Sequence, residues 1–168
     1  MNFLGVYGHA NIDIIIKLKK FPEPESSIEL VELKRYFGGT GANIARVAAS
    51  LGVKTALATF VGEDFPNDFY TELNSSGIDL KDLKKVNGYT TPTCWLFSWA
   101  QNHIGIMNQG PMRDMEKFKL LEHTVKTSEI VHISTGRPRY YLKVIEMAKK
   151  LGKRIALDPA QDLHYVYT

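Results

Sequence analysis

The densest group of residues able to do chemistry is Gly38-Gly39-Thr40-Gly41-Ala42-Asn43-Ile44-Ala45. Clustered glycines before a helix start let backbone approach a ligand closely, and the first helical turn offers unpaired N–H donors. A GxGxxG dinucleotide fingerprint begun at Gly39 puts Ile44 on its third glycine and fails. The segment before it also alternates, where that motif needs a buried strand. A nucleotide-binding oxidoreductase is thereby disfavoured. No GK[ST] follows, which excludes a P-loop. What remains is a glycine hinge feeding a helix whose first turn carries Asn43, an amide that donates and accepts toward a polyhydroxyl ligand.

Three further groups stand where strands are expected to end. Asn11-Ile12-Asp13 follows the first apolar run, Ser134-Thr135-Gly136-Arg137 follows the run from Glu129, and Asp158-Pro159 follows Arg154 to Leu157. In a parallel sheet the carboxyl ends of the strands form the ligand crevice. A carboxylate there, such as Asp13 or Asp158, accepts two hydrogen bonds from adjacent hydroxyls. Cys94 is a lone cysteine among apolar residues and reads as a small buried hydrophobe in a strand. It allows no internal disulfide, and no CxxC pair exists to hold zinc.

The elements that must position these residues alternate in type. Asn2 to Gly8 and Lys54 to Val61 read as buried strands, Glu129 to Ser134 and Arg154 to Leu157 as two more. Between them, Ala42 to Leu51, Phe65 to Ser76, Glu116 to Lys126 and Pro138 to Leu151 read as helices. Asp13 to Lys20 and Ser27 to Tyr36 read as strands around the turn signal Phe21-Pro22-Glu23-Pro24-Glu25. Thr91 to Trp99 and Ile104 to Asn108 read as a hairpin. The whole is an α/β architecture, a three-layer, mostly parallel sheet with helices on both faces and a small β appendage near residues 13–36 and 91–108.

Composition agrees. A chain of 168 residues is of single-domain size, and it buries roughly 70% of its unfolded surface without staples. The net charge of +3 is mild, and its basic residues are scattered among acids (Lys81, Asp82, Lys84, Lys85), which suits solvated helix faces and not a nucleic-acid footprint. No basic leader or long apolar span occurs, so a cytoplasmic protein that avoids membranes is expected. Asn74-Ser75-Ser76 matches a glycosylation pattern but reads as an ordinary helix end.

Taken together, these residues resemble the N-terminal signature of the ribokinase-like (PfkB) sugar and nucleoside kinases. The resemblance is carried by Gly38 to Ala45 with Gly52 and Gly62 following, by Gly8-His9-Ala10-Asn11-Ile12-Asp13, and by Phe21-Pro22-Glu23-Pro24 before an alternating strand. Val61-Gly62-Glu63-Asp64-Phe65 and Asp158-Pro159-Ala160 complete it, and the details look most like the archaeal sugar and nucleoside kinases of the group. It implies ATP-dependent, magnesium-assisted phosphorylation of a hydroxymethyl group on a sugar or nucleoside. By that resemblance Asn11 and Asp13 hold ring hydroxyls, and Gly38, Gly39, Thr40 and Asn43 line the sugar. Thr93 and Trp95 belong to the closing lid, and Thr135 and Asp158 stand at the cleft. Thr40 replaces a lysine, and Thr135 an acid, found in ribose-type members.

The family's Gly-Ala-Gly-Asp motif, with its catalytic aspartate, and its Asn-x-x-Glu motif do not occur in the 168 residues. The expectation is therefore an N-terminal half whose catalytic aspartate lies beyond Thr168, with the nucleotide site likewise outside the sequence. Such a half would turn over no substrate alone, and it would dimerise through the β lid. The alternative is a non-catalytic sugar- or nucleoside-binding module derived from such a kinase.

Overall fold

Apolar runs that do not alternate become the inner strands of a parallel sheet, because helices cover both of their faces. The computed structural model describes residues 1–158. In chain order its first elements are β1 (Asn2–Tyr7), β2 (Asn11–Lys17), β3 (Glu32–Gly38), α1 (Thr40–Ser50), β4 (Thr55–Gly62) and α2 (Asn67–Ser75). There follow β5 (Asp79–Val86), β6 (Thr93–Trp99), β7 (Asn102–Asn108), a 3-10 helix (Gly110–Lys117), α3 (Glu122–Thr127), β8 (Ser128–Ile133), α4 (Pro138–Lys150) and β9 (Arg154–Leu157). The central sheet runs β5-β4-β1-β8-β9 with every pair parallel. A second sheet, β3-β2-β6-β7, forms the lid. The α/β architecture expected from the sequence is the one found. No described helix is long and apolar enough to cross a membrane.

Two cores flank the central sheet. Val6, Leu57 and Val61 pack with Ala42, Ala45, Phe65 and Phe69 of α1, α2 and their approaches. On the other side Tyr7, Ala58 and Phe60 meet Met112, Met115, Val125, Tyr140 and Val144. Alternate residues of one strand thus feed opposite layers.

Several elements differ from the sequence reading. The hairpin strands are shorter: β2 ends at Lys17 and β3 starts only at Glu32. The Pro-rich segment between them has no ladder, as the missing proline N–H groups dictate. The mixed charges Lys81, Asp82, Lys84 and Lys85, read as a solvated helix face, lie on edge strand β5. Its Lys81, Lys84 and Lys85 are exposed and blunt the edge against further pairing. Asp82 is buried there and accepts from the Thr124 N–H at 2.7 Å. The helix expected over 116–126 is broken, with Phe118 extended between the 3-10 turn and α3. Two tyrosines explain the break. The Tyr7 hydroxyl donates to the Leu121 carbonyl, and the Leu121 N–H donates to the Tyr140 hydroxyl at 2.9 Å.

At the amino edge of the sheet, Asp79 accepts from His123 at 2.7 Å, from the Lys81 N–H at 3.1 Å and from Asn2 at 3.3 Å. Burial pushes its carboxyl up, but the hydrogen bonds of His123, Lys81 and Asn2 and the nearby His123 charge together outweigh burial and hold it below the usual range. A carboxylate depressed on folding stabilises above its unfolded pKa, and that contribution disappears as pH falls through the folded value. Asp79→Asn should therefore lower stability at neutral pH, with the gap to the parent closing on acidification. Urea unfolding at neutral and at acid pH reads this, and an equal gap at both would refute it.

Candidate functional site

The parallel order brings the ends of β1, β4, β8 and β9 to one edge. Gly8-His9-Ala10 leads from β1 off the central sheet into the lid strand β2. Asn11 and Asp13 are therefore the first and third residues of β2, not the end of the first strand as the sequence suggested. Asn11 pairs in register with Gly38 and Asp13 with Tyr36. That pairing sets the carboxylate against the glycine turn. A Cβ on Gly38 would sit 1.9 Å from Asp13 Oδ2, so only glycine admits the carboxylate there.

Gly39 then turns the chain into α1 with φ 101° and ψ 137°. Its own Cβ would fall 2.4 Å from the His9 carbonyl oxygen. The Ala42 N–H donates to that carbonyl at 3.0 Å, tying the helix start to the end of β1. The Asn11 amide donates to Asp13 Oδ1 at 2.6 Å. Burial pushes the Asp13 carboxyl above the usual carboxylate range, while the Asn11 bond and the Arg46 guanidinium pull the other way.

Arg46 was not anticipated. It donates to Asn43 Oδ1 at 2.5 Å, to the Phe37 carbonyl at 2.7 Å and to Glu72 at 2.7 Å. It also lies 5.8 Å above the Phe69 ring. Asn43 is exposed and its side-chain oxygen is engaged with Arg46; it stands beside an apolar groove of about 500 Å³ between α1 and β1. The i,i+3 spacing of Asn43 and Arg46 on a helix is the signal that could have found the pair.

Beneath the glycine turn lies a polar chain. His9 Nδ1 is 2.8 Å from Thr135 Oγ1, His9 Nε2 is 2.6 Å from Gln109 Oε1, and Thr40 Oγ1 is 2.6 Å from Thr135 Oγ1. Thr40 and Thr135, read from distant segments, meet here. His9 and Gln109 were missed, since a single buried histidine and a glutamine after a strand carry no spacing signal.

The remaining candidates lie further off. Thr93 and Trp95 pair with Ile12 and Ile14, on the lid face opposite Asp13. The face that bears the carboxylate carries Cys94 and Leu96, because side chains alternate along a strand. The Thr93 hydroxyl donates to the Thr91 carbonyl at 3.0 Å. Burial and the Asp13 charge push the Cys94 thiol up. Asp158 is exposed just past β9, and its N–H donates to Ile133 at 2.9 Å. Pro159, Asp162 and Thr168 lie outside the described residues, which stop at Asp158, so the structure neither places nor tests a catalytic aspartate expected beyond Thr168. In the Val61 to Phe65 segment, Asp64 accepts from the Thr91 N–H at 2.6 Å and hydroxyl at 2.7 Å, anchoring the entry to β6. Among the described residues no three His, Cys, Asp or Glu side chains converge as a cation cage. Mg²⁺ enters no step below.

A five-stranded parallel sheet between helices, with a four-stranded lid inserted at its carboxyl edge over a Gly-Gly turn and a carboxylate, defines a ribokinase-like α/β chain. The pfkB family carbohydrate kinase model matches residues 1–166, and the chain belongs to that family. A nucleoside kinase of Methanothermobacter thermautotrophicus is 37% identical over 159 residues, covering 94% of this chain and 52% of the relative. One from Thermoplasma acidophilum is 32% identical, covering 98% and 53%. The crystal structure of the Methanocaldococcus jannaschii nucleoside kinase superposes with a TM-score of 0.87 at 32% identity, over 98% of this chain and 55% of that one. The chain spans about half the length of the curated relatives it matches, and corresponds to their N-terminal half.

The opposed influences on Asp13 are separable. Replacing Arg46 by Gln removes a charge that favours the carboxylate, so Asp13 should titrate still further above free aspartate than it does in the parent. Carboxyl-carbon NMR titration of both proteins measures this; an unmoved or lowered midpoint in Arg46→Gln would rule the coupling out.

Proposed function

We propose that this chain is the substrate-holding half of an ATP-dependent kinase that phosphorylates a hydroxymethyl group of a sugar or nucleoside. The observation that carries it is Asp13, half-buried against Gly38 with only one side-chain donor among the described residues, Asn11, at hydrogen-bond distance. An ionised carboxylate accepts about four hydrogen bonds. Adjacent ring hydroxyls would supply the missing donors. The Gly38-Gly39 turn lets the sugar approach the backbone, and the N–H groups of the first α1 turn favour electron-rich oxygens. The relatives' names support the substrate class. They include nucleoside kinases, a cytidine kinase of Thermococcus kodakarensis at 28% identity and a deoxyribokinase of Salmonella typhimurium at 27%.

In this reading Asp13 and Asn11 orient the ring, and Thr40 and Asn43 border it. The lid face bearing Cys94 and Leu96 excludes water from the reacting hydroxyl. Phosphoryl transfer is mostly positioning plus charge neutralisation, and these residues provide the positioning. ATP is the phosphoryl donor the family implies, and no step is assigned to it among these residues. The catalytic base is proposed to belong to the part of the kinase that follows Thr168.

Titration calorimetry with ribose, adenosine and cytidine, with and without ATP and Mg²⁺, tests the reading. Binding of a hydroxylated ligand that Asp13→Ala weakens by about 1.5–3 kcal/mol, the usual size for hydrogen bonds to a charged group, supports it. No binding by any of the three, or unchanged affinity in a folded Asp13→Ala, overturns it. Phosphorylation of any of them by the chain alone would place the catalytic base within these residues and overturn the half-site assignment.

The lid also supports a homodimer. Ile14, Trp95 and Ile106 share the face opposite Asp13 with Ile16, Leu33, Phe97 and Ile104. Ile106 is 53% exposed and Leu33 55%, which leaves an apolar sheet face that a second copy would cover. Light scattering at micromolar concentration should give twice the chain mass, and Ile106→Lys should halve it; a monomeric parent would refute the dimer.

A further inference from the structure

We propose that Tyr36 is a specificity-determining residue that receives the base of a nucleoside, while Asp13 beside it holds the sugar hydroxyls. The proposal rests on the sugar or nucleoside reading of the cleft and adds which end of the ligand lies on which side of the carboxylate. Strand register carries it. Asp13 of β2 pairs antiparallel with Tyr36 of β3 and parallel with Cys94 of β6. Residues directly opposite one another stand on the same face of a sheet, about 5 Å apart at their Cβ atoms. The carboxylate therefore sits in a row between an aromatic ring on one side and a thiol on the other. Tyr36 is 48% exposed. Among the described residues its hydroxyl has no hydrogen-bond partner and its ring meets no other ring. Further along the same face of β3, Lys34 lies 2.8 Å from Glu32. That ion pair engages the cation, so the group β3 leaves open beside Asp13 is the tyrosine ring.

The covalent structure of a riboside matches that row. Its 2′ and 3′ hydroxyls are neighbours. The base is carried by the carbon next to the 2′ position, and the hydroxymethyl group by the carbon next to the 3′ position. A carboxylate that holds the hydroxyl pair therefore has the base to one side of it and the hydroxymethyl group to the other. Tyr36 and Cys94 are those two sides. An aromatic ring gains from a flat partner, offset-stacked or edge-on, by more than the area buried. Cys94, with Leu96 on the same face of β6, offers a small apolar wall and no ring. The base accordingly goes to Tyr36, and the hydroxymethyl group to the Cys94 and Leu96 side, where the lid keeps water from the reacting hydroxyl. A free sugar satisfies Asp13 and leaves the ring bare.

Methyl β-ribofuranoside keeps the hydroxyl pair and the hydroxymethyl group of cytidine and carries a methyl group in place of the base. Titration calorimetry of the 168-residue chain with both ligands therefore isolates the base. The parent should bind cytidine about five- to tenfold more tightly than the riboside, the size of one aromatic pair. Tyr36→Ala should remove that preference by weakening cytidine alone. Tyr36→Phe keeps the ring and should keep the preference, and Asp13→Ala should weaken both ligands alike. Tyr36→Leu, similar in bulk but without a ring, repeats the test if the alanine variant fails to fold. Equal affinity of the parent for the two ligands overturns the role of Tyr36. So does a preference that survives in the ringless variant, or an equal loss of both ligands in it. In each of those three results the riboside still binds the parent, and the reading of the cleft stands. If neither ligand binds the parent, that reading fails and the proposal falls with it.

Discussion

Two backbones touch where β1 ends and α1 begins, and the site depends on that contact. A Cβ on Gly41 would stand 2.7 Å from the Gly8 carbonyl carbon, and one on Gly8 would stand 2.9 Å from the Gly41 nitrogen. Neither position admits a side chain unless the helix withdraws. With both glycines in place, the helix start reaches the carboxyl edge of the central sheet, and the His9 carbonyl caps it through the Ala42 N–H. From that crossing β2 departs and falls into register with Gly38 within three residues. The backbone register of β2 against β3 thus sets Asp13 against the glycine turn.

The lid answers to a different constraint. Ile14-Ile15-Ile16 in β2 and Cys94-Trp95-Leu96-Phe97 in β6 put apolar groups on both faces of the lid sheet. Such a sheet is ordinarily found between covering layers. Phe21, from the segment between β2 and β3, covers the far end of one face, 4.8 Å from Trp99 and 6.2 Å from Phe97. The near end leans on the central domain through Ile12, Ile14 and Phe37, with Phe37 stacked 4.5 Å from Phe69. That stack also sets Arg46, which lies over the same Phe69 ring. The cation beside the site and the lid's attachment therefore share one support, and loss of the Phe69 ring would disturb both, at a cost of about 3–5 kcal/mol for a buried aromatic.

Much of this was legible in the residues. Non-alternating runs gave β1, β4 and β8, and the 3.6-residue spacing of Ile44, Val47, Ala48 and Leu51 gave α1, because periodicity reports directly on which faces are covered. The glycine cluster and Asp13 were legible since a steric exclusion or a carboxylate near a turn is a local property of the chain. Edge strand β5 was not. Its lysines and Asp82 read as a polar helix face, and what makes it a strand is pairing with β4, which lies some twenty residues earlier. The interruption at Phe118 to Leu121 was hidden for a similar reason, being set by tyrosines from β1 and α4. Thr93 and Trp95 were read as lid residues from the resemblance alone; which face of the strand each occupies is set by pairing with β2, since a one-residue shift of register exchanges the faces. The chain through His9 was the least legible, since its members come from four segments and none has a motif.

Burial raises the Asp13 carboxyl, and its charged form is held in part by Asn11 and by the Arg46 charge. A half-buried carboxylate so placed gains from each donor delivered to its open lone pairs, and gains most where water is excluded. A hydroxyl suits this need, because it brings no charge to be desolvated.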